Sequence, residues 1–352
     1  MTDAGSEVVR HARLTDRPAL IELSRRVHAE PDAFRRSLGV PAPTATQPAL
    51  SLSSLIPAWL PLRPTSVHLV AESGGRLVGS CRSIEEPHRD DWMIIELDAE
   101  DGPMAAEVRH AMLAQLIGEA MQRGIDRLHA ACSDVRENLL LFGQLGFVAY
   151  AQEEICYRPP WAVGEPRSWL RGLTGRGHAM GAHPADDDGP ALQPAGAPDA
   201  WHLFDLWTHC TPPAIARIER YAAADWESAS HEGVVPRSAL NPILHFSSVA
   251  AWLLSSDGRA AGFAQHGSSR EGPHYLRFLV RDGSDGAAFL EAVLHAAGAD
   301  AAAAGMLAPV RTYEAMGLRA AEAVGFSAIG RVSLLVRDVP AGVRRPAMVP
   351  AV

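Results

Sequence analysis

Apolar and polar positions along the chain repeat one pattern twice. Two apolar segments joined by a tight glycine-containing turn occupy 67–82, and the same arrangement returns at 249–266. Apolar segments on both sides of such a turn predict a β-hairpin in each stretch. Each hairpin is followed by another apolar segment, a long helical pattern and a Gly-Phe pair. The repeated order predicts two domains of one design.

The spacing of landmarks supports a duplication. Gly75 and Gly258, at the two hairpin turns, are separated by nearly the same number of positions as Gly146 and Gly325, which begin the Gly-Phe pairs. The helical pattern is clearest at 104–123, where apolar residues recur every three to four positions. A duplicated order of strands and helices therefore accounts for most of the chain.

The elements of the two halves can be set side by side. The first half is predicted to contain, in order, strand 8–14, a helix opening at 15–18, the hairpin, strand 92–97, helix 104–123, strand 127–132, helix 138–144 and extended chain at 147–158. The second half is predicted to contain strand 191–193, helices within 199–224, the hairpin, strand 274–280, helix 286–303, strand 306–309, helix 313–323 and extended chain at 326–337. We therefore predict an α/β (α+β) fold in which each domain is a mixed, mostly antiparallel sheet flanked by helices.

Composition sets the predicted domain boundaries. The stretch 159–190 is rich in Pro, Gly, Arg and His and offers little that could form a core, so it predicts a linker. The domains are then 1–158 and 191–338, followed by a tail at 339–352. A proline-rich loop at 40–66 interrupts the first domain.

The charged residues of the chain exclude several kinds of partner and catalytic group. The formal net charge of −9 argues against a nucleic-acid partner. All 32 basic residues are arginine, which excludes a Schiff-base lysine, a P-loop lysine or a lysine base. No apolar run approaches the roughly 20 residues of a membrane span, and the polar N-terminus lacks a signal core. We expect no membrane partner.

Cysteine usage points to a reducing compartment. The four cysteines show no CxxC spacing, so free and mostly buried thiols are expected. No metal site is predicted. These observations predict a cytoplasmic protein, either a monomer or a homodimer.

Short motifs give the element order a family resemblance. The segment 141–147, Leu-Phe-Gly-Gln-Leu-Gly-Phe, resembles the Leu-Tyr-x-x-Leu-Gly-Phe segment of the GNAT (Gcn5-related) N-acetyltransferase superfamily. Residues 9–16 resemble its first strand and helix start, and Val-Gly-Phe at 324–326 matches in the second half. The likeness covers roughly 7–158 and 191–337, which is the layout of a tandem GNAT protein.

The resemblance implies a cofactor, acetyl-CoA or another acyl-CoA. In that family two parallel strands splay apart, and the fourth strand and the next helix N-terminus bind the cofactor. The cofactor-binding positions implied here are Leu97, Asp98, Val108, Arg109, Phe142, Gly283 and Gly286. Phe142 stands where the family often has a tyrosine that donates to the leaving thiolate. Gly283 and Gly286 would permit close backbone approach in the second domain.

The first domain departs from the family pattern at the helix start. Glu107 and Arg109 occupy positions where the family has glycines, and Glu100 and Asp101 add negative charge beside them. Arg109 offsets part of this charge for an anionic cofactor. We therefore expect the first domain, rather than the second, to bind acyl-CoA if only one does.

Two residues are candidates for the catalytic base. Glu96 lies at the end of the first domain's fourth strand, and His274 lies on the equivalent strand of the second domain. A titratable group at a strand edge that faces the cofactor cleft could take a proton from an amine. The alternative for each is a solvated strand-end charge or a satisfied histidine.

The function implied by the resemblance is acyl-CoA-dependent N-acetyltransfer to an amine of a small molecule. No motif in the sequence identifies the acceptor. A non-catalytic GNAT-like scaffold or small-molecule-binding protein with degenerate CoA sites stays open as the alternative.

Overall fold

The computed structural model describes residues 8–40, 50–51, 67–86, 89–162, 191–227, 236–238, 240, 247–269 and 272–340. Most of the predicted loop at 40–66, most of the predicted linker at 159–190 and nearly all of the predicted tail lie outside the described residues. The chain divides into two compact units. Unit 1 comprises 1–154, 237–245 and 329–352, and unit 2 comprises 155–236 and 246–328.

The sequence up to the predicted linker forms eleven of the elements described. They are β1 (Val8–His11), α1 (Arg17–Val27), β2 (Gly39–Val40), β3 (Leu50–Ser51), β4 (Val67–Ser73), β5 (Arg76–Glu85), β6 (Asp91–Ala99), α2 (Ala105–Arg123), β7 (Arg127–Ser133), α3 (Arg136–Gln144) and β8 (Val148–Arg158). A short 3-10 helix, Ala33–Arg35, precedes β2.

The sequence after the predicted linker repeats this order. Its elements are β9 (Gln193–Pro194), α4 (Ala200–Cys210), α5 (Pro213–Glu219), β10 (Ser248–Ser256), β11 (Arg259–Ser268), β12 (His274–Val280), α6 (Gly286–Ala304), β13 (Met306–Arg311), α7 (Ala315–Ala323) and β14 (Ser327–Asp338). Helix α6 is long and apolar enough to cross a membrane by length and composition alone. Its residues Phe289, Leu290, Val293 and Leu294 are buried in the core of unit 2.

Each unit is built on a mixed sheet. In unit 1 the strands lie in the order β1-β4-β5-β6-β7-β14-β8, and in unit 2 the order β13-β12-β11-β10-β9 follows the last residues of β8. Neighbouring pairs are antiparallel in both hairpins, whereas β6–β7 and β12–β13 are parallel. The predicted fold class, a mixed and mostly antiparallel sheet with flanking helices, is confirmed.

Turn chemistry explains the two hairpins. Gly74 and Gly75 have φ values of 57° and 77°, and Asp257 and Gly258 have 51° and 71°. Two successive residues with positive φ form the tight turn whose twist matches that of the flanking strands, and glycine adopts it without strain.

Helices cover both faces of the sheet in unit 1. The apolar stripe of α2 packs on one face together with α3, and its members include Val108, Met112 and Leu116. On the other face, Leu23 of α1 packs in a smaller cluster with Val70 of β4. Helix α2 ends at Gly124, which adopts the left-handed conformation.

The last strand of the chain differs from the expectation for 326–337. That segment was assigned to the second domain, but β14 pairs with β7 of unit 1 from Val332 opposite Ser133 to Asp338 opposite Arg127. Leu335 accordingly joins the core of unit 1. The alternating pattern of β14 predicts a strand correctly, but a local pattern does not specify which sheet the strand completes.

Candidate active site

Strands β6 and β7 of unit 1 pair over only part of their length, and we call the region where they part the cleft. The two parallel strands pair only from Asp91 opposite Arg127 to Met93 opposite His129. On its other side, β6 carries a bulge, because Arg82 pairs with Glu96 while Ser83 pairs with Ile94. A bulge bends its strand, so β6 turns away from β7 directly after their last pair. For residues 94–99, which are buried, no pairing with β7 is described.

The N-terminus of α2 follows the end of β6. Its N-cap residue, Met104, is 50% exposed and makes no side-chain capping hydrogen bond. The acidic residues before it are paired: Glu100 lies 2.7 Å from Arg76, and Asp101 lies 3.4 Å from Arg36. The positive end of a 19-residue helix dipole is thus uncapped, and two nearby negative charges are partly neutralised.

Polar side chains lie in two rows on the α1 face of the sheet. The register places His68, Arg82 and Glu96 opposite one another on three adjacent strands, and Ser80 opposite Asp98 one row further. Residues directly opposite in a sheet point to the same face, so these side chains form one polar cluster beside the bulge.

Glu96 is held from both carboxylate oxygens. Ser80 donates a short hydrogen bond to Oε1, and Arg82 Nη2 lies 3.1 Å from Oε2. Ser80 Oγ also lies 3.0 Å from His68 Nε2. Burial alone would raise the pKa of Glu96, but Arg82, His68 and the Ser80 hydrogen bond outweigh burial and lower it. Burial lowers the pKa of His68. The cleft therefore holds an ionised carboxylate linked through Ser80 to a neutral imidazole.

Asp98 belongs to a second pair in the same cluster. Its Oδ2 lies 3.0 Å from Nε2 of His28, the residue that ends α1, and both side chains are buried. Burial would lower the pKa of His28, but the Asp98 carboxylate outweighs burial and raises it. The side chain of Asp98 is thus occupied by His28.

Arg109 lies inside the cleft rather than at its mouth. The residue is 4% exposed, and its guanidinium donates to Asn138 Oδ1 at 2.9 Å and to the carbonyl oxygen of Arg35 at 3.1 Å. Burial lowers its pKa to about 10. Asn138 in turn donates to the carbonyl oxygen of Phe34 at 3.2 Å, so the segment before β2 closes one side of the cleft.

The other predicted cofactor residues of unit 1 are core residues. Leu97, Val108 and Phe142 are buried, and the ring of Phe142 packs edge-on against Phe147 at 5.1 Å. Their side chains fill the interior, which leaves the main chain of Leu97, on the edge of β6, as the part that can face a ligand.

The corresponding cleft of unit 2 is different. Strands β12 and β13 pair only at His274 opposite Met306 and Tyr275 opposite Leu307, so they also part. The register of β11 and β12, however, runs without a shift from Gly262 to Gly267. No bulge bends β12 among these described residues.

The register identifies what replaces Glu96 in unit 2. Gly79 pairs with Ala99 in unit 1, and Gly262 pairs with Val280 in unit 2. Counting back three residues from each partner aligns Glu96 with Arg277. Arg277 is fully buried, and its Nη atoms contact Glu314 at 2.6 and 3.0 Å. A paired cation thus fills the position of the carboxylate.

His274 lies at the paired end of β12, three residues before Arg277. Its Nδ1 is 2.9 Å from Nε2 of His266, and the two rings stack. Burial lowers the pKa of His274. The structure thus places the two predicted catalytic residues, Glu96 and His274, at different positions within their units.

The glycines predicted to bind the cofactor in unit 2 have separate roles. Gly283 has a φ of 86° and open space around it, as a close approach of backbone to ligand would require. A Cβ at Gly286 would lie 2.9 Å from Ala320, so this glycine lets α6 pack on α7. The adjacent Asp285 accepts a hydrogen bond from the N–H of Ala288 at 3.0 Å and caps α6 with the chain's own carboxylate.

Sequence reasoning missed four members of the unit 1 cluster: His28, His68, Ser80 and Arg82. The signal was present in part. His68, Ser80 and Arg82 occupy alternating positions inside otherwise apolar strands. A polar residue at such a position faces the interior and needs a partner there.

Comparisons with known proteins agree with this architecture. No protein-family model and no curated protein matches the chain. A tandem GNAT protein from the clavulanic acid biosynthesis pathway, solved without acetyl-CoA, is 15% identical with a TM-score of 0.55, over 96% of this chain and 99% of that one. A GCN5-related N-acetyltransferase from Sphaerobacter thermophilus is 12% identical with a TM-score of 0.53, over 95% and 96%. At these identities the likeness shows the fold alone, a tandem arrangement of two GNAT-like units.

Proposed function

We propose that this tandem GNAT-fold protein transfers an acyl group from acetyl-CoA, or another acyl-CoA, to an amine of a small molecule, and that unit 1 carries the reaction. The observation that supports this most is the position of Glu96. An ionised, buried carboxylate lies next to the bulge of β6, in the strand that leads to the uncapped N-terminus of α2.

The residues of unit 1 suit an acyl-CoA in two respects. In this proposal the amides of the pantetheine arm pair with main-chain groups of β6 beyond Met93, where no pair with β7 is described. The N-terminus of α2 suits the diphosphate, and the ion pairs of Glu100 and Asp101 reduce the repulsion. When bound, the cofactor supplies an activated acyl thioester.

Glu96 provides the acid–base chemistry in this proposal. Its negative charge attracts the ammonium form of an acceptor, and its free lone pairs can take the proton that the nitrogen must lose. Arg82 and Ser80 fix the carboxylate in place. Because the Ser80 hydroxyl donates to Glu96, the neutral imidazole of His68 donates its Nε2–H to Ser80 Oγ and so orients that hydroxyl.

Unit 2 is better suited to the alternative function, a non-catalytic scaffold. Arg277 occupies the position of Glu96, and a cation there would repel an ammonium group. Its charge is already satisfied by Glu314, and α6 is capped by Asp285.

We place the reaction in the cytoplasm. All four cysteines are free, and Cys81, Cys132 and Cys156 are buried. Free thiols of this kind suit a reducing compartment.

Thermal unfolding with and without acetyl-CoA or CoA tests the proposal. A ligand present at 100 times its dissociation constant should stabilise the protein by about 2.7 kcal/mol. Met104→Asp should weaken this stabilisation, because a carboxylate at the N-cap would compete with the diphosphate for the first N–H groups of α2. Met104→Asn caps the helix without the charge, so the difference between the two variants isolates the charge. Absence of any shift at millimolar CoA or acetyl-CoA would leave only the scaffold function.

A further inference from the structure

Arg109 is a buried cation that pairs with no anion among the described residues. Within that part of the chain, its guanidinium donates to two neutral oxygens, those of Asn138 and the Arg35 backbone, and its Nε has no hydrogen-bond partner. No carboxylate of the described residues lies within ion-pair distance of it. Asp98 attracts it from further away, but the hydrogen bond of that carboxylate goes to His28.

A charge in this state is costly. Burying an ion is repaid only when a counter-ion and further hydrogen bonds surround it, and a neutral side chain of similar size is often more stable at such a site. Val108 of α2 lies against Gly79, and Phe289 of α6 lies against the equivalent Gly262. The residue after each is therefore equivalent, so that Arg109 of unit 1 corresponds to the buried, apolar Leu290 of unit 2. The fold therefore accommodates a neutral residue here, and the charge in unit 1 calls for a functional reason.

The position of Arg109 indicates which anion it meets. The guanidinium, on the α2 side of the sheet, interacts electrostatically with Cys132 of β7, Asp98 of β6 and Cys81 of β5, and Cys132 and Asp98 lie beyond the last residues that β6 and β7 pair. It is thus buried beside the part of the sheet where β6 and β7 no longer pair, and not at the exposed helix end that suits a diphosphate. The reaction proposed for this cleft generates one negative charge inside it, on sulfur.

We propose that Arg109 stabilises the thiolate released when unit 1 transfers an acyl group. This inference rests on the proposed function. Transfer forms the nitrogen–carbon bond, breaks the acyl carbon–sulfur bond and leaves the electron pair on sulfur, while the proton of the nitrogen passes to Glu96. A desolvated guanidinium stabilises the developing charge more strongly than water would.

Binding of CoA and desulfo-CoA tests the assignment without any turnover. The two ligands differ only at the thiol, so the ratio of their dissociation constants, measured by calorimetry from pH 6 to 9, reports ionisation of the bound thiol. In the wild type the preference for CoA should grow several-fold between pH 6 and 9, towards the tenfold limit that a thiol pKa lowered by one unit reaches at high pH. Arg109→Gln, which keeps hydrogen-bond donors but not the charge, should make the ratio independent of pH.

A second variant and the remaining outcomes show whether the role of Arg109 or the proposed function itself is wrong. Arg109→Lys keeps the charge and should restore part of the pH dependence, which also guards against a Gln variant that fails to fold. Equal weakening of both ligands by Arg109→Gln would mean that the arginine binds another part of CoA and would overturn the assignment. An unchanged, pH-dependent ratio in that variant would overturn it as well. A wild type that binds neither ligand would remove the proposed function itself, and the assignment with it.

Discussion

Asp16, at the start of α1, makes the stability of the folded state depend on pH. Its carboxylate accepts hydrogen bonds from Arg10 at 2.7 and 3.0 Å and from the backbone N–H of Arg13 at 2.7 Å. The Arg10 hydrogen bond is the main reason that its pKa falls to about 2, from an ordinary value of 3.8. The folded state therefore binds this proton more weakly than the unfolded state does.

Asp16→Asn should destabilise the protein in a pH-dependent way. Because the folded pKa is the lower one, the carboxylate contributes fully above about pH 4, and this contribution is lost as the pH falls towards 2. We expect a loss of about 1.5–3 kcal/mol at pH 7, the usual size for a hydrogen bond to a charged group. Urea unfolding at pH 7 and pH 3 checks this, and a difference that widens on acidification would contradict the assignment.

Glu96→Gln should impair transfer more than binding. Loss of a general base typically costs about 10²–10⁴-fold in rate, while the acetyl-CoA thermal shift should persist because the backbone edge of β6 is unchanged. The measurement is release of CoA thiol from acetyl-CoA with a panel of small primary amines. Glu119→Gln is a matched control, because Glu119 lies on the surface of α2 and pairs with His11. Equal rates for the two variants would remove Glu96 from the mechanism.

At the scale of elements, the contact between α2 and β5 depends on one glycine. A Cβ at Gly79 would lie 2.6 Å from Val108 Cγ1 and 2.8 Å from Met112 Cε. Gly79→Ala should therefore force α2 away from the sheet and cost about 1–3 kcal/mol, as overpacking does. Gly118→Ala, on α2 with nothing within 4 Å, should instead stabilise by up to about 1 kcal/mol. Thermal unfolding compares the stabilities of the two variants. An unchanged stability of Gly79→Ala would show that the contact between α2 and β5 can relax.

Local patterns predicted the hairpins and the long helices because their signals are short-range. The turn residues around Gly75 and the 3.6-residue spacing in α2 determine structure within a few positions. Glu96 could be named because it ends an apolar strand. Its partners could not, because the contact with Arg82 depends on a register that the bulge at residue 95 displaces by one position. The pairing of β14 with β7 was not predicted because about two hundred residues separate the two strands, and a local pattern does not specify so distant a partner.

For the whole molecule, unit 1 depends on the end of the chain. β14 lies between β7 and β8, where Arg331 contacts Glu154 at 2.5 Å. A fragment of residues 1–158 should therefore fail to unfold cooperatively. The same fragment joined by a short turn to 327–340 should unfold cooperatively, because it contains β14. We expect the fused form to melt below the full chain, because it lacks Arg237, which pairs with Glu86 in unit 1. Circular dichroism melts compare the two, and cooperative unfolding of 1–158 alone would show that β14 is dispensable.

The two units should also differ in ligand stoichiometry. With Arg277 in place of Glu96 and α6 capped by Asp285, only unit 1 is expected to bind acyl-CoA. Calorimetric titration of the full chain with acetyl-CoA should give one site per chain. Two sites would show that unit 2 also binds the cofactor, most simply through the open space at Gly283.

The position of β14 has a consequence for protein synthesis. Strand β7 is complete once Ser133 has left the ribosome, but its partner in unit 1 begins almost two hundred residues later. At about 5–20 residues per second, translation of that stretch takes roughly 10–40 s. Throughout this interval the nascent β7 has an unpaired edge that can pair with other chains. The first half is thus translated early but completed last, and its yield in the cell should depend on chaperones that shield this edge.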